Sequence, residues 1–163
     1  MYLAVDPGRF KFGWAVVDTA GSLRCSGIME KDRYDVFFSI FSGTSTPALD
    51  EPPLEGTLNE VIEQDIRILF VGNGTGYRDF VEPGWSVPFK VVLVDEVGST
   101  LEARKLYWHF HPPKGWWRLL PLSVQVPPRP IDDLAAYCIA LRGMRKLAVL
   151  DYDKENEECP TRN

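Results

Sequence analysis

The chain has few residues of the kinds that bind soft metal ions. Its 163 residues include three cysteines, at positions 25, 138 and 159, and two histidines. The cysteines are odd in number, widely spaced and without a C-x-x-C pair, which argues against a zinc knuckle and predicts a reducing compartment. His109 and His111 form an H-x-H pair without the further ligands of a metal set. We therefore expect any bound metal ion to be held by oxygen ligands.

Long hydrophobic runs are also missing. No stretch of about 18 apolar residues is uninterrupted, and no basic segment followed by an apolar run and a cleavage site opens the chain. These absences predict a soluble, cytoplasmic protein with no membrane partner. An apolar content of 45% is enough for one core at this length, so residues 1–150 are predicted to form a single domain.

Basic residues are fewer than acidic ones, 18 against 23, which gives a formal net charge of -5. Residues 151–163 carry five acidic and two basic side chains, which leaves a net charge of only -2 on the rest of the chain. We expect this acidic tail to be disordered. This negative net charge argues against a protein that binds nucleic acid through its overall charge alone, although it does not exclude binding at a local basic site.

Strand patterns divide into two groups. Three short apolar segments separated by turns predict an antiparallel meander, at 2–5, 13–18 and 23–29. Two later runs rich in Val, Ile, Leu and Phe are typical of strands covered on both faces, at 66–71 and 89–94.

Helical patterns lie between and after these strands. Apolar spacing predicts helices at 34–41 and 54–64, and a short helix beginning near Thr75. Ser99 or Thr100 is expected to cap a helix that ends near His109. A last helix with a broad apolar face is predicted from Ile131 to about Lys146. The whole pattern predicts a mixed α/β domain.

Acidic residues stand where predicted elements meet loops. Asp6 closes the first strand in "LAVDPGRFKFGWAVVD", Glu96 closes "FKVVLVDE", and Asp132 with Asp133 opens "PIDDLAAYCIALRGM". Since functional groups gather beyond the carboxyl ends of strands, one crevice can collect all of them. Such a set is typical of phosphodiester hydrolysis with two Mg²⁺ or Mn²⁺ ions about 3.5 to 4 Å apart.

Each carboxylate also has a simpler interpretation. Asp6 before Pro7 can start a turn, Glu96 can be a solvated strand end, and either Asp132 or Asp133 can be a helix N-terminal acid. These alternatives stay open for each residue alone. The three positions together, in this order on these elements, favour the metal site.

Three motifs resemble one family. The stretch "VDPGRFKFGWAVVD" resembles the opening hairpin of the RuvC-like and YqgF-like nucleases of the RNase H-like superfamily. "VDEVGSTLEARKL" is similar to the YqgF segment in which a Ser/Thr-containing helix start follows a strand-end glutamate, and "IDDLAAYCIAL" is similar to the final acidic helix. The order agrees along nearly the whole body of the chain.

The resemblance implies an RNase H-like fold, a five-stranded mixed sheet flanked by helices, and a metal-dependent nuclease site. It matches Asp6, Glu96 and Asp132 to the catalytic and metal-binding carboxylates, with Asp133 as the alternative in register. The Holliday-junction enzymes carry a further aspartate three positions before the last one, where this chain has Arg129. That departure favours the YqgF side of the family.

A glycine-rich stretch follows the strand predicted at 66–71. "GNGTGYRDF" resembles the G-N-G-T segment in the YqgF-like domain of the Tex transcription-associated proteins, which are regarded as binding modules. Asn73 and Thr75 offer hydrogen bonds and Arg78 offers charge to a phosphate, while the glycines permit a close approach. The alternative is an ordinary glycine-rich turn from strand to helix.

Further candidates for substrate binding are basic residues near the expected crevice: Arg9, Lys11, Arg104 and Arg129. The segment "WHFHPPKGWWRLLP" mixes aromatic and basic side chains, a combination that can stack bases and contact phosphates or, alternatively, belong to a core or an interface.

These observations predict an endonuclease that uses Mg²⁺ or Mn²⁺ on structured nucleic acid, either a branched DNA of the Holliday type or a precursor of 16S rRNA. The alternative is a non-catalytic module of the same fold that binds nucleic acid or protein. Pairing of two copies into a homodimer is left open. A nucleotide-binding actin-like ATPase is disfavoured, because the chain is too short for the second domain that such proteins need.

Overall fold

The computed structural model describes residues 1–44, 49, 51–81, 89–121 and 124–157, with backbone alone at 117 and 151–157. A mixed sheet is its centre, with the strands in the order β4-β3-β2-β1-β5-β6. The strands are β1 (Tyr2–Pro7), β2 (Lys11–Val17), β3 (Leu23–Glu30), β4 (Glu55–Gly56), β5 (Ile68–Gly72) and β6 (Lys90–Val94).

The first three strands form the predicted antiparallel meander. In its register Asp6 faces Gly13 across β1 and β2, and Lys11 faces Glu30 across β2 and β3. The strands β5 and β6 add in parallel on the other side of β1. The carboxyl ends of β1, β5 and β6 therefore meet at one edge of the sheet.

The described residues contain six strands rather than the five predicted. The sixth is β4, which pairs with Cys25 and Ser26 at the edge of the meander. It lies inside the helix predicted at 54–64, a prediction that is wrong: only Asn59–Ile62 is helical, as α2. Gly56 has a φ of +70°, a backbone conformation that an α-helix does not contain.

Three longer helices flank the sheet: α1 (Tyr34–Phe41), α3 (Ser99–Phe110) and α4 (Asp132–Glu157). The α1 helix has the bounds predicted for it. The predicted capping of α3 by Ser99 or Thr100 is wrong, since Gly98 is the N-cap residue and no side chain caps the helix. The short helix expected near Thr75 is a 3-10 turn at Tyr77–Phe80.

The α4 helix continues beyond its predicted end near Lys146. No glycine or proline occurs between Met144 and Glu157, so nothing in the local sequence interrupts it. Seven residues of the segment expected to be disordered are thus helical, and residues 158–163 of that segment lie outside the described residues.

Two apolar layers cover the faces of the sheet. One is aromatic and packs Phe12 and Trp14 of β2 against Phe37 of α1. The other packs small α4 residues, among them Ala136 and Ala140, against the sheet. Small side chains at such a contact let the helix approach the strands closely.

Gly13 sets where α4 begins. A β-carbon at this position would overlap the carbonyl of Asp132, so only glycine lets the first turn of α4 lie directly on β2. Because Gly13 is also the partner of Asp6 in the sheet, the helix N-terminus lies beside the end of β1.

The two parallel strands differ in burial. The β5 strand is buried on both faces, as predicted, with Leu69 and Phe70 inaccessible. The same prediction is wrong for β6, where Leu93 is 39% exposed. The β6 strand is the sheet edge, and the described part of the chain covers it incompletely.

Cys25 and Cys138 are buried free thiols, and burial raises the pKa of each to about 12. Cys159 lies outside the described residues. Among the helices described, none combines the length and the apolar character needed to cross a bilayer.

Candidate functional site

Asp6 lies near the carboxyl end of β1, within reach of two other acidic residues. Burial, the charges of Glu96 and Asp132, and a hydrogen bond with Glu96 together raise the pKa of its carboxyl group to about 7, and burial contributes most. The structure therefore brings the three predicted catalytic carboxylates into one electrostatic environment. They come from β1, from the loop after β6 and from the first residue of α4.

The backbone of Glu96 is hydrogen-bonded through both its amide and its carbonyl. Its amide N–H donates to the Asn73 side-chain oxygen at 3.2 Å, and its carbonyl accepts from the amide of Ser99 at 2.8 Å. Arg142 of α4 donates to the carbonyls of Asp95 at 2.8 Å and Val97 at 3.0 Å. The loop after β6 is thus tied to both β5 and α4.

The Glu96 side chain lies against the glycine-rich turn that follows β5. A β-carbon at Gly74 would overlap the Glu96 carboxylate, and one at Gly72 would lie 2.8 Å from Oε2. That Oε2 is buried and has no hydrogen-bond partner among the described residues. A buried carboxylate oxygen without a partner is costly, which makes this atom a candidate ligand for a cation.

Asp132 has a partner of its own. Its Oδ2 lies 2.7 Å from the Lys11 ammonium, and the two side chains are 38% and 44% exposed. Within the described ranges, no group of three Asp, Glu, His or Cys side chains is arranged to hold one metal ion. The Lys11 ammonium lies against one oxygen of the Asp132 carboxylate.

Asp133 lies in a different environment, although the sequence makes it the alternative to Asp132. Its carboxylate is fully buried, accepts from the Ser26 hydroxyl at 3.0 Å and pairs with Arg129 at 2.8 Å. Arg129 also bonds Glu55 at 2.7 Å, and Glu55 bonds His111 at 2.6 Å. Asp133 and Arg129, both predicted site residues, therefore connect the start of α4 with β3 and β4 through hydrogen bonds and ion pairs.

The remaining predicted binding residues are exposed. Arg9 lies at the hairpin tip with its guanidinium 5.4 Å from the ring centre of Phe10. Thr75 and Arg78 are exposed in the turn after β5, and Arg104 is exposed on α3. None of the contacts described for Arg104 connects it with the three carboxylates.

An open groove of about 400 Å³ runs beside Asp6 and Asp132. It is lined by Asp6, Arg9, Phe10, Lys11 and Asp132, among others. The groove joins two acidic and two basic predicted site residues, together with an aromatic ring that is 77% exposed.

Sequence reasoning missed several residues that hold this site. Asn73, which was predicted to hydrogen-bond a phosphate, also accepts a hydrogen bond from the amide of Glu96 through its side-chain oxygen, a role that was not predicted. Arg142, Glu55 and Ser26 were not predicted at all. The sequence around Arg142 does not indicate which backbone carbonyls its side chain will bond, because those carbonyls lie in a distant loop.

The aromatic segment near residue 110 lies apart from the carboxylates. It forms an apolar cavity of about 980 Å³ lined by Trp108, Phe110, Val124 and Val126, among others. None of the three carboxylates lines it.

No protein-family model matches the chain, and a search of the curated proteins finds no match.

Proposed function

We propose that this chain is a nuclease of the RNase H-like fold that depends on Mg²⁺ or Mn²⁺, with Asp6, Glu96 and Asp132 as its catalytic carboxylates. The observation that carries the proposal is the raised pKa of Asp6, about 7, whose causes include both of the other carboxylates. A carboxyl group whose pKa is raised by burial and by neighbouring carboxylates at the end of a strand is typical of a functional site rather than of a solvated surface.

The fold supports the same conclusion. An antiparallel meander with two parallel strands added beside β1 is the arrangement expected of an RNase H-like sheet, with β4 as a two-residue addition at the edge. The carboxyl ends of β1 and β6 and the start of α4 come together there, which is where the family resemblance expects its acidic residues.

The donor set fits a hard divalent cation. All three groups are carboxylates, and Glu96 Oε2 is a buried oxygen without a hydrogen-bond partner in the described part of the chain. Asp6 and Glu96 would hold Mg²⁺ or Mn²⁺, with Asp132 beside them. The bound ion would supply an activated water and stabilise negative charge on phosphorus oxygens.

The chain's own residues would bind and orient the substrate. Arg9 and Lys11 line the groove next to the carboxylates and offer positive charge to a phosphodiester backbone. The exposed ring of Phe10 offers a surface on which an unpaired base can stack. These contacts favour a branched DNA or a structured RNA over a regular duplex.

A second candidate is a non-catalytic module of the same fold that binds nucleic acid. The ion pair between Lys11 and Asp132 favours it, because a carboxylate neutralised by a lysine is a weaker metal ligand.

A cleavage assay separates the two candidates. Wild-type protein and an Asp6→Asn variant are incubated with four-way DNA junctions and with precursor rRNA in Mn²⁺. The control is Asp65→Asn, an exposed carboxylate that pairs with Arg67 before β5. We expect cleavage by wild type and by the control but not by Asp6→Asn. Equal cleavage by Asp6→Asn would overturn the proposal, and tight binding without cleavage would select the non-catalytic module.

A further inference from the structure

Lys11 is the basic side chain in direct contact with a candidate catalytic carboxylate. Its ammonium lies 2.7 Å from Asp132 Oδ2. It is the first residue of β2, its carbonyl accepts from the amide of Gly8 at 3.0 Å, and its backbone pairs with Glu30. The ammonium therefore extends from a rigid hairpin, not from a free loop.

The charge balance of the site bears on how many metal ions it can take. Two-ion sites place two divalent cations among three or four carboxylates, because so much positive charge needs that many anions. Carboxylates bind a cation in their ionised form, and in that form the three carboxylates with the Lys11 ammonium carry a net charge of minus two, which one divalent cation neutralises. The two oxygens of Glu96 lie against Gly72 and Gly74, and neither is described in contact with Lys11.

We propose that the Lys11 ammonium takes the place of a second divalent cation, so that the site holds one Mg²⁺ or Mn²⁺ between Asp6 and Glu96 while Asp132 stays paired with Lys11. This inference rests on the proposed function and departs from the two-ion arrangement expected from the sequence. Lys11 is then the cation that faces the substrate phosphate on the Asp132 side of the groove.

Counting the bound ions tests this without measuring activity. Mn²⁺ is titrated into the full chain by calorimetry, and free Mn²⁺ is quantified by electron paramagnetic resonance. We expect one ion per chain for wild type and for Lys11→Arg, which keeps the charge. We expect two for Lys11→Met, which keeps the length of the side chain and removes its charge.

Two further variants sharpen the measurement. Lys31→Met removes a different lysine, which pairs with Asp79, and is expected to leave the count at one. Adding Asp132→Asn to Lys11→Met is expected to return the count from two to one, because the second ion then lacks its carboxylate. Far-ultraviolet circular dichroism shows that each variant is folded; Lys11 is 44% exposed, so little packing is lost.

The outcomes separate this inference from the proposed function. Two ions in wild type, or one ion in folded Lys11→Met, would overturn the role of Lys11 and leave the nuclease proposal standing. No bound Mn²⁺ in either protein would contradict the metal site itself, and the proposed function with it.

Discussion

Asp132 and Asp133 are adjacent in the sequence, but their carboxylates have opposite environments. Asp132 is 38% exposed and pairs with Lys11 at the groove, whereas Asp133 is fully buried between Ser26 and Arg129. Successive residues of an α-helix point about 100° apart, so one of the two faces the site and the other faces β3. Of the two, only Asp132 is among the causes of the raised pKa of Asp6.

This difference predicts effects of different size on stability for two matched substitutions. Asp133→Asn removes a buried charge and leaves Arg129 partly unpaired, which is expected to lower the free energy of unfolding by about 3 kcal/mol. Asp132→Asn removes an exposed pair and is expected to change it by less than about 1 kcal/mol. Urea unfolding at pH 7 measures both. A larger loss from Asp132→Asn than from Asp133→Asn would contradict the assignment.

The raised pKa of Asp6 predicts how stability depends on pH. The folded chain retains a proton on Asp6 that the unfolded chain loses near pH 3.8, so ionisation favours the unfolded state. The stability that the protonated group contributes is complete below pH 3.8 and is lost as pH rises through about 7. The difference of about three between the pKa of Asp6 in the folded and unfolded chains corresponds to roughly 4 kcal/mol in the free energy of unfolding.

Comparison with Asp6→Asn isolates this effect, since the variant has no group to titrate there. We expect wild type to lose stability relative to Asp6→Asn between pH 4 and pH 8, measured by urea unfolding at several pH values. Mn²⁺ added at pH 8 is expected to restore the stability of wild type but not of the variant. A difference between the two proteins that does not change with pH would refute the prediction.

A substitution at Gly74 tests whether metal binding requires the Glu96 carboxylate to lie against the turn after β5. In Gly74→Ala the new β-carbon overlaps the Glu96 carboxylate, which must move away. We expect the affinity for Mn²⁺ to fall about tenfold or more, measured by calorimetry, as is usual when a support of a metal ligand is lost.

The matched control is Gly43→Ala. Gly43 has a φ of +72° and no neighbour within 4 Å of an added β-carbon, so this change strains the backbone far from the site. It is expected to cost about 1 kcal/mol of stability and to leave Mn²⁺ affinity unchanged. An unchanged affinity in Gly74→Ala would show that Glu96 has room to move and that the close approach is not required.

Much of the architecture was predictable because its signals are local. The meander and α1 are specified by alternation and helical spacing within eight or fewer residues. The β4 strand was not predictable in this way, since it is a two-residue strand that exists through its pairing with Cys25 and Ser26. The regular spacing of apolar residues after Leu54 indicated a helix that Gly56 interrupts.

The features of the site were likewise predictable only where their signals are local in the sequence. That Asp6, Glu96 and Asp132 stand at element ends is visible in the sequence, because the elements themselves are. Which neighbour holds Glu96 is not visible, since Asn73 and Arg142 lie 23 residues before it and 46 after it. The choice between Asp132 and Asp133 depends on the rotation of α4 about its axis, which is set where its first turn meets Gly13.

The position of Arg9 predicts which surface would contact nucleic acid under the proposed function. Its guanidinium is at the hairpin tip beside Phe10 and lines the groove next to Asp6. In the Asp6→Asn background, which is expected to prevent cleavage, Arg9→Ala is expected to weaken binding to a four-way junction and to reduce the salt dependence by about one phosphate contact. Fluorescence anisotropy over a series of salt concentrations measures both quantities.

The control for this prediction is Arg67→Ala. Arg67 is 83% exposed and lies just before β5, at the end of the parallel strands opposite the carboxylates. It has the same charge as Arg9, so a general electrostatic attraction would make the two substitutions equal in effect. We expect Arg67→Ala to leave the slope unchanged, because a phosphate backbone in the groove does not reach that end of the sheet. Equal slopes for both variants would mean that nucleic acid binds without using the groove.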